Sequence, residues 1–294
     1  MLIDRRIEKN LFESFLGERI VILYGPRRTG KTTILKNIVN KLSKSGVDIQ
    51  KELAFIDFED PENREIYTNI GISRLESLHK NHKYVLFDEA QKLMNIGQTL
   101  KLIKDHLPTI KVIATGSSSF ELSNKIKEPL TGRKYEFQLL PLSMQEIADY
   151  QSPIYLYKNL ETFLRFGSYP TVFQESEDLK IKRLKELSGS YLYKDIFDFQ
   201  DVRSVEVIDK LLKLLAFSNN PRKEISKSRK IYFYDLGIRN ALISNFNTLD
   251  NRNDVGSIFE NFLVLERLKN NLYQEKNLVD SYFWRSYSKA EVDY

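Results

Sequence analysis

The chain has 294 residues, 45 Lys and Arg against 40 Asp and Glu, a net charge of +5 and 41% hydrophobic residues. This length allows two domains with a core in each, and the composition is that of a folded chain facing water. No apolar run approaches the ~18 residues of a membrane span; the lack of cysteine excludes disulfides and thiolate chemistry; the small basic excess permits nucleic acid as a partner without requiring one.

In chain order, charge in Met1–Arg6 arrives before any signal-peptide core, so the chain is expected in the cytoplasm. Arg19–Tyr24 is a short apolar run predicted as a strand, and a glycine-rich segment follows it at once. From Thr32, the residues Ile34, Leu35, Ile38, Val39 and Leu42 recur at helical spacing until Gly46, a C-cap residue, stops the pattern. Leu53–Phe58, Tyr84–Phe87, Lys111–Thr115 and Tyr135–Leu139 read as four more strands. Strands alternating with helices predict an α/β domain with a parallel sheet. Four consecutive apolar residues at Tyr84–Phe87 suit a central strand covered on both faces.

After Pro141 the texture changes. Leu156–Phe166, Leu179–Asp198 and Val205–Phe217 are predicted helices, and the polar, basic Ser218–Lys230 reads as a linker. Ile231–Tyr234 is predicted as a strand, Ile258–Leu268 as a helix, and Ser281–Trp284 and Ala290–Tyr294 as strands. The predicted division is 1–148, 149–225 and 226–294.

Gly25-Pro26-Arg27-Arg28-Thr29-Gly30-Lys31-Thr32 fits the phosphate-binding pattern G-x-x-x-x-G-K-[ST] at every position. Backbone N–H groups must curl around a polyphosphate, and glycines let the chain approach without a Cβ in the way. The helix that follows adds its positive end. Lys31 is placed to reach the β and γ phosphates and Thr32 to ligate magnesium. A chance match in a glycine turn is the competing reading, and the flanking strand and helix count against it. The nucleotide-contacting set is Gly25, Pro26, Arg27, Arg28, Thr29, Gly30, Lys31, Thr32 and Thr33, although Arg27 and Arg28 read more readily as solvated.

Such a loop needs an acid at the end of a neighbouring strand, and Asp88-Glu89-Ala90-Gln91 follows the third one. Asp88 is the expected magnesium ligand with Thr32, and Glu89 the expected general base. Helix capping is the competing role for such a pair. After the fourth strand, Thr115-Gly116-Ser117-Ser118-Ser119 offers hydroxyls to a γ-phosphate or to attacking water, with Ser117 the site residue. A capped turn accounts for the same residues.

These motifs together resemble bacterial and archaeal AAA-like P-loop ATPases whose C-terminal half is the DUF4143 domain. The likeness also rests on Leu130-Thr131-Gly132-Arg133, Pro141-Leu142-Ser143 and Phe166-Gly167-Ser168-Tyr169-Pro170. It continues through Tyr191–Asp195, Tyr232–Gly237, Gly256–Asn261 and Glu291-Val292-Asp293. The resemblance implies a P-loop NTPase sheet of five strands with the P-loop strand in the middle, flanked by helices. A helical region and a partial restriction-endonuclease-like α/β domain would follow. It implies Asp88 as metal-holding acid, Glu89 as catalytic acid, and Arg133 as an arginine that senses or completes a nucleotide site. Arg133 paired to a carboxylate near the fifth strand is the alternative.

In the C-terminal part, Glu260 and Asp293 match two acidic positions of the endonuclease-like fold, with Glu291 beside them. No Glu-x-Lys element follows, so the competing reading leaves Glu260 in a cap or ion pair. The resemblance implies a small winged-helix-like segment before Ile231, where only the short polar Ser218–Lys230 stands, either as a natural short form or as part of a longer parent, and this weakens the expectation of DNA binding. His79 and His82 read as solvated, and Tyr191, Tyr193, Phe197 and Phe199 as helical core. The expected function is magnesium-dependent ATP binding and hydrolysis, coupled to the C-terminal domain. A slowly turning ATP-gated switch and a metal-dependent DNA-processing protein are the alternatives. DNA, a protein partner and a second copy of the chain are the candidate partners beside ATP.

Overall fold

Four apolar runs of the first half and the mixed segment Lys134–Gln138 assemble into one parallel sheet. In a computed structural model, which describes residues 3–117, 126, 130–191, 205–217, 231–273, 284–285 and 291–292, they are β1 (Ile20–Tyr24), β2 (Leu53–Asp57), β3 (Tyr84–Asp88), β4 (Lys111–Gly116) and β5 (Lys134–Gln138). The order is β2-β3-β4-β1-β5, and every neighbouring pair is parallel. The expected five strands are therefore present, with one correction. The strand that leads into the glycine loop lies fourth, and β4 holds the middle.

Burial explains the continuous apolar runs. Ile20, Ile22, Val85, Phe87, Val112 and Ala114 join one core with Ile96, Leu100 and Ile103. The alternate residues Val21, Leu23, Leu86 and Ile113 are equally buried, so these strands are covered on both faces. β5 is an edge strand, and its Tyr135 stays 42% exposed.

The helix Lys31–Lys44 buries Ile34, Leu35, Ile38 and Leu42. It ends just before Gly46, with the Val47 N–H donating to the Leu42 carbonyl at 3.2 Å, a glycine-terminated cap. The earlier helix Glu8–Leu16 is tied to it by Glu8, which accepts from Asn37 Nδ2 at 2.8 Å and pairs with Lys41 at 3.3 Å.

His79 and His82 are not the solvated pair expected. His79 is buried, its Nε2 lies 3.0 Å from the Tyr67 hydroxyl and its Nδ1 3.1 Å from His82 Nδ1. Burial, with the charge of His82 adding to it, lowers the His79 imidazole to about 4. Tyr67 in turn packs edge-on against Phe58 and Phe87.

The described residues form two compact units, Asp4–Leu140 and a second made of Ile3 with the residues from Pro141 onward. In the second unit, Ser143 and Glu146 form a reciprocal capping box at the start of helix Met144–Tyr150. Helices Pro153–Phe166, Glu177–Glu186, Val205–Phe217, Leu236–Leu242 and Val255–Tyr273 follow, and Trp284–Arg285 pairs antiparallel with Glu291–Val292. The long helix predicted over Leu179–Asp198 begins at Glu177 and gives way to a π-helical turn at Leu187–Tyr191. Ser218–Lys230, Asp195, Tyr193, Phe197, Phe199 and Asp293 lie outside the described residues.

Ile231–Tyr234 is not a strand. At Phe233 a side chain takes the place of a strand neighbour: Asn261 accepts from the Phe233 N–H and donates to the Phe233 carbonyl, each at 2.9 Å. An amide side chain can replace a strand neighbour because it offers a donor and an acceptor side by side.

The motifs of the second unit meet around buried charge. Asp235 accepts from the Ser168 N–H at 2.8 Å and caps the next helix through Ile238 N–H at 3.1 Å. Lys269, fully buried, donates to the Leu142 carbonyl at 2.8 Å, to Ser168 Oγ at 3.2 Å and to Glu266 at 2.7 Å. Burial pushes the Asp235 carboxyl up to about 6, against the Ser168 hydrogen bond and the Lys269 charge. For Asp254 burial also raises the pKa, but the Arg252 and Arg239 guanidinium groups prevail and hold it at about 2.

Candidate functional site

The loop between β1 and helix Lys31–Lys44 is shaped by its two glycines. A Cβ on Gly25 would lie 2.1 Å from the Leu139 carbonyl oxygen, so no side chain fits there. The Gly25 N–H donates to Gly116 O at 3.3 Å, and Leu139 N–H donates to Tyr24 O at 2.8 Å, which fastens the loop entrance to both flanking strands. Gly30 is the N-cap of the helix at φ +104°, where a side chain is strained. Between them, Arg28 is exposed with φ +62° and Arg27 is half-buried. The Thr29 hydroxyl donates to the Pro26 carbonyl at 2.8 Å and closes the loop on itself.

The charged residues converge on this loop. Lys31 is buried, and its Nζ lies over the loop, donating to Gly25 O at 2.9 Å and Pro26 O at 3.0 Å. The Thr32 hydroxyl donates to Asp88 Oδ2 at 2.7 Å. Asp88, at the end of β3, also accepts from the Thr115 hydroxyl at the end of β4. The Glu89 N–H reaches both Asp88 Oδ1 and Thr115 Oγ1 at 3.2 Å. Glu89 turns the chain sharply, with φ +50° and ψ +42°, a conformation uncommon outside glycine that costs ~1 kcal/mol or more. Gln91, buried behind it, donates to Glu89 Oε2 at 2.5 Å and to Ser117 Oγ at 2.9 Å.

Of the residues expected at the site, Gly25 to Thr32 form the loop and the first turn, and Asp88, Glu89 and Ser117 join them. Thr33 is exposed on the helix. Arg133 is not brought there. It precedes β5, its carbonyl accepts from Ile20 N–H at the start of β1, and its guanidinium pairs with Asp105 at 2.9 Å. The loop leaves the other end of β1, roughly 16 Å away at 3.3 Å per residue. The alternative reading, an arginine paired to a carboxylate, is the one found. Ser118 and Ser119 lie outside the described residues.

Sequence reasoning missed two residues. Arg5 is buried and donates to the Thr29 carbonyl from Nη1 and to the Leu140 carbonyl from Nη2, each at 2.7 Å. It joins the glycine loop to the segment leaving β5. Nothing local marks it, because the contact spans 135 residues of sequence. Gln91 stood within a quoted motif, but its two contacts appear only once β3 and β4 are side by side.

In the second unit, Glu260 accepts from the Tyr232 hydroxyl at 2.6 Å. Among the described residues no three His, Cys, Asp or Glu side chains cluster as a metal site. Among them, too, no helix is long and apolar enough to cross a membrane.

The oxygen pair Thr32 and Asp88, the glycine cradle and Lys31 suit a hard cation held jointly with phosphate oxygens, the usual habit of magnesium. A parallel sheet with a glycine loop between β1 and a helix, and an acid closing a nearby strand, defines the P-loop class of α/β domains. Residues 17–148 match the family model described as an AAA domain, so this stretch is similar to AAA-type ATPase domains. An uncharacterized protein of Methanocaldococcus jannaschii is 29% identical, over 99% of this chain and 63% of the relative. An uncharacterized protein of Haemophilus influenzae is 25% identical, over 67% of this chain and 51% of the relative. The chain thus spans between half and two thirds of the length of these relatives. Among solved structures, the Aeropyrum pernix ORC1 protein in complex with DNA aligns over 74% of this chain and 67% of its own, at 14% identity and TM-score 0.40.

Proposed function

We propose that the Asp4–Leu140 unit binds ATP with magnesium and hydrolyses it. The observation that carries this reading is the meeting of Thr32 with Asp88, 2.7 Å apart, beside a loop in which Gly25 admits no side chain and Gly30 holds φ +104°. The Thr32 hydroxyl from the first helical turn and the Asp88 carboxylate from a strand end would hold the cation. Magnesium, when bound, would neutralise charge on the β and γ phosphates. The loop N–H groups and the N-terminus of helix Lys31–Lys44 receive phosphate oxygens. Lys31 exchanges its loop carbonyls for phosphate oxygen, which keeps its ammonium paired throughout. Glu89 takes the proton of the attacking water, and the Ser117 hydroxyl donates to the γ-phosphate.

Calorimetric titration of the purified protein with ATP, with and without magnesium, tests the reading. Binding that tightens with magnesium and disappears in Lys31→Ala is the expected result; no binding in either condition overturns it.

Arg133 takes part in our reading only as a residue presented to another copy of the chain, since it lies far from its own loop. The C-terminal part is read as a DUF4143-like domain whose position follows the nucleotide state. The support is that three segments carrying its likeness are linked: Lys269 donates to the Leu142 carbonyl and to Ser168 Oγ, and the Ser168 N–H donates to Asp235. A DNA-processing role through Glu260 has less support, because that carboxylate is engaged by Tyr232.

A further inference from the structure

We infer that Gln91 is a positioning residue that makes Ser117 and Glu89 act as one unit, fixing the general base and aiming the serine hydroxyl with a single carboxamide. The inference rests on the proposed role of Glu89 as base.

The backbone explains how Gln91 gets there. Glu89 sits in the left-handed region, so the chain turns back on itself directly after β3, and the short turn Ala90–Lys92 returns Gln91 beneath the carboxylate two residues earlier. Gln91 is 3% exposed, and its Nε2 stands 2.5 Å from Glu89 Oε2 and 2.9 Å from Ser117 Oγ. A carboxylate can only accept, so the group facing Glu89 is the NH2 and not the carbonyl oxygen. That group has two hydrogens, and the two contacts use both.

Ser117 Oγ accepts from Gln91, so its own hydrogen points elsewhere and the hydroxyl is presented as a donor. Phosphate oxygens only accept, so a γ-phosphate is the group such a donor suits. Glu89 is held by Oε2, which leaves Oε1 to take a proton from water. A carboxylate beside an anionic phosphate is pushed away by like charge, and a fixed amide donor opposes that displacement.

Kinetics of Gln91→Ala and of Gln91→Met, which retains the packing volume, test the inference against Ser117→Ala and Glu89→Gln. The expected result is a kcat lowered by about 100-fold, as for a reacting group misplaced by an ångström, with the dissociation constant for MgATP within about twofold of wild type. Combining Gln91→Met with Ser117→Ala adds little further loss, because both remove one device. A Gln91→Met protein with wild-type kcat, or a double variant whose losses multiply, overturns the inference. If Glu89→Gln itself turns over normally, the base assignment fails instead, and the two failures are told apart by that variant alone.

Discussion

The hydroxyl of Thr32 and the carboxylate of Asp88 lie 56 residues apart in sequence and 2.7 Å apart in space. Each comes from the C-terminal edge of the sheet, one on the first turn after the glycine loop and one at the end of β3. An Asp88 that already accepts from Thr32 and Thr115 has its geometry set before a cation arrives. Asp88→Asn should weaken MgATP binding by roughly 10- to 100-fold, matching ~1.5–3 kcal/mol for a charged contact. Binding of ATP without magnesium should hardly change. Titrations in magnesium and in chelator measure both.

Gly25 is a steric requirement. The Leu139 carbonyl oxygen occupies the space of a Cβ at 2.1 Å, and backbone on both sides is fixed by sheet hydrogen bonds. Gly25→Ala should cost about 1–3 kcal/mol in stability as the loop entrance shifts. Thermal unfolding should show a lowered Tm, and nucleotide affinity should fall with it.

Arg5 offers two nitrogens to two carbonyls, so a single ammonium cannot replace it. Arg5→Met should lose about 3 kcal/mol, since two buried carbonyls lose a charged donor. Arg5→Lys should recover less than half of this. Urea unfolding and ATP titration should move in parallel for both variants.

The two units should respond to pH in opposite senses. His79 accepts a proton only near 4 when folded and near 6.5 when unfolded. Between those values the unfolded chain holds more protons, so the Asp4–Leu140 unit loses stability as pH falls, by about 3 kcal/mol over the full window. His82, also lowered by burial, adds in the same sense. Asp235 is protonated near 6 when folded and near 3.8 when unfolded. Here the folded state holds more protons, so the unit from Pro141 gains stability as pH falls through the same range, again by about 3 kcal/mol. Hydrogen exchange at about pH 7 and about pH 5, corrected for intrinsic rates, should show protection falling in the first unit and rising in the second. Asp235→Asn should abolish the rise.

Much of the site was legible because phosphate binding uses contiguous backbone. Gly25, Gly30, Lys31 and Thr32 are neighbours in sequence, and Asp88 follows an unbroken apolar run that had to be a buried strand. The missing parts depend on which strands lie side by side. The place of β1 beside the edge strand, the removal of Arg133 to the far end of β5, and the reach of Arg5 to Leu140 are properties of the sheet and not of any local pattern. Ile231–Tyr234 has the apolar, aromatic composition of a strand, yet the backbone of Phe233 is paired by the Asn261 side chain from a helix. His79 has a polar name and a core position, because Tyr67 satisfies its buried nitrogen.

Phosphate release under steady-state conditions, measured for wild type and for Glu89→Gln alongside direct ATP binding, decides whether Glu89 is the base of a hydrolytic site. The wild type should turn over ATP in a magnesium-dependent way, and Glu89→Gln should lose about 100-fold or more of that turnover with ATP still bound. Equal turnover in the two proteins, or none in the wild type at saturating MgATP, would contradict that role.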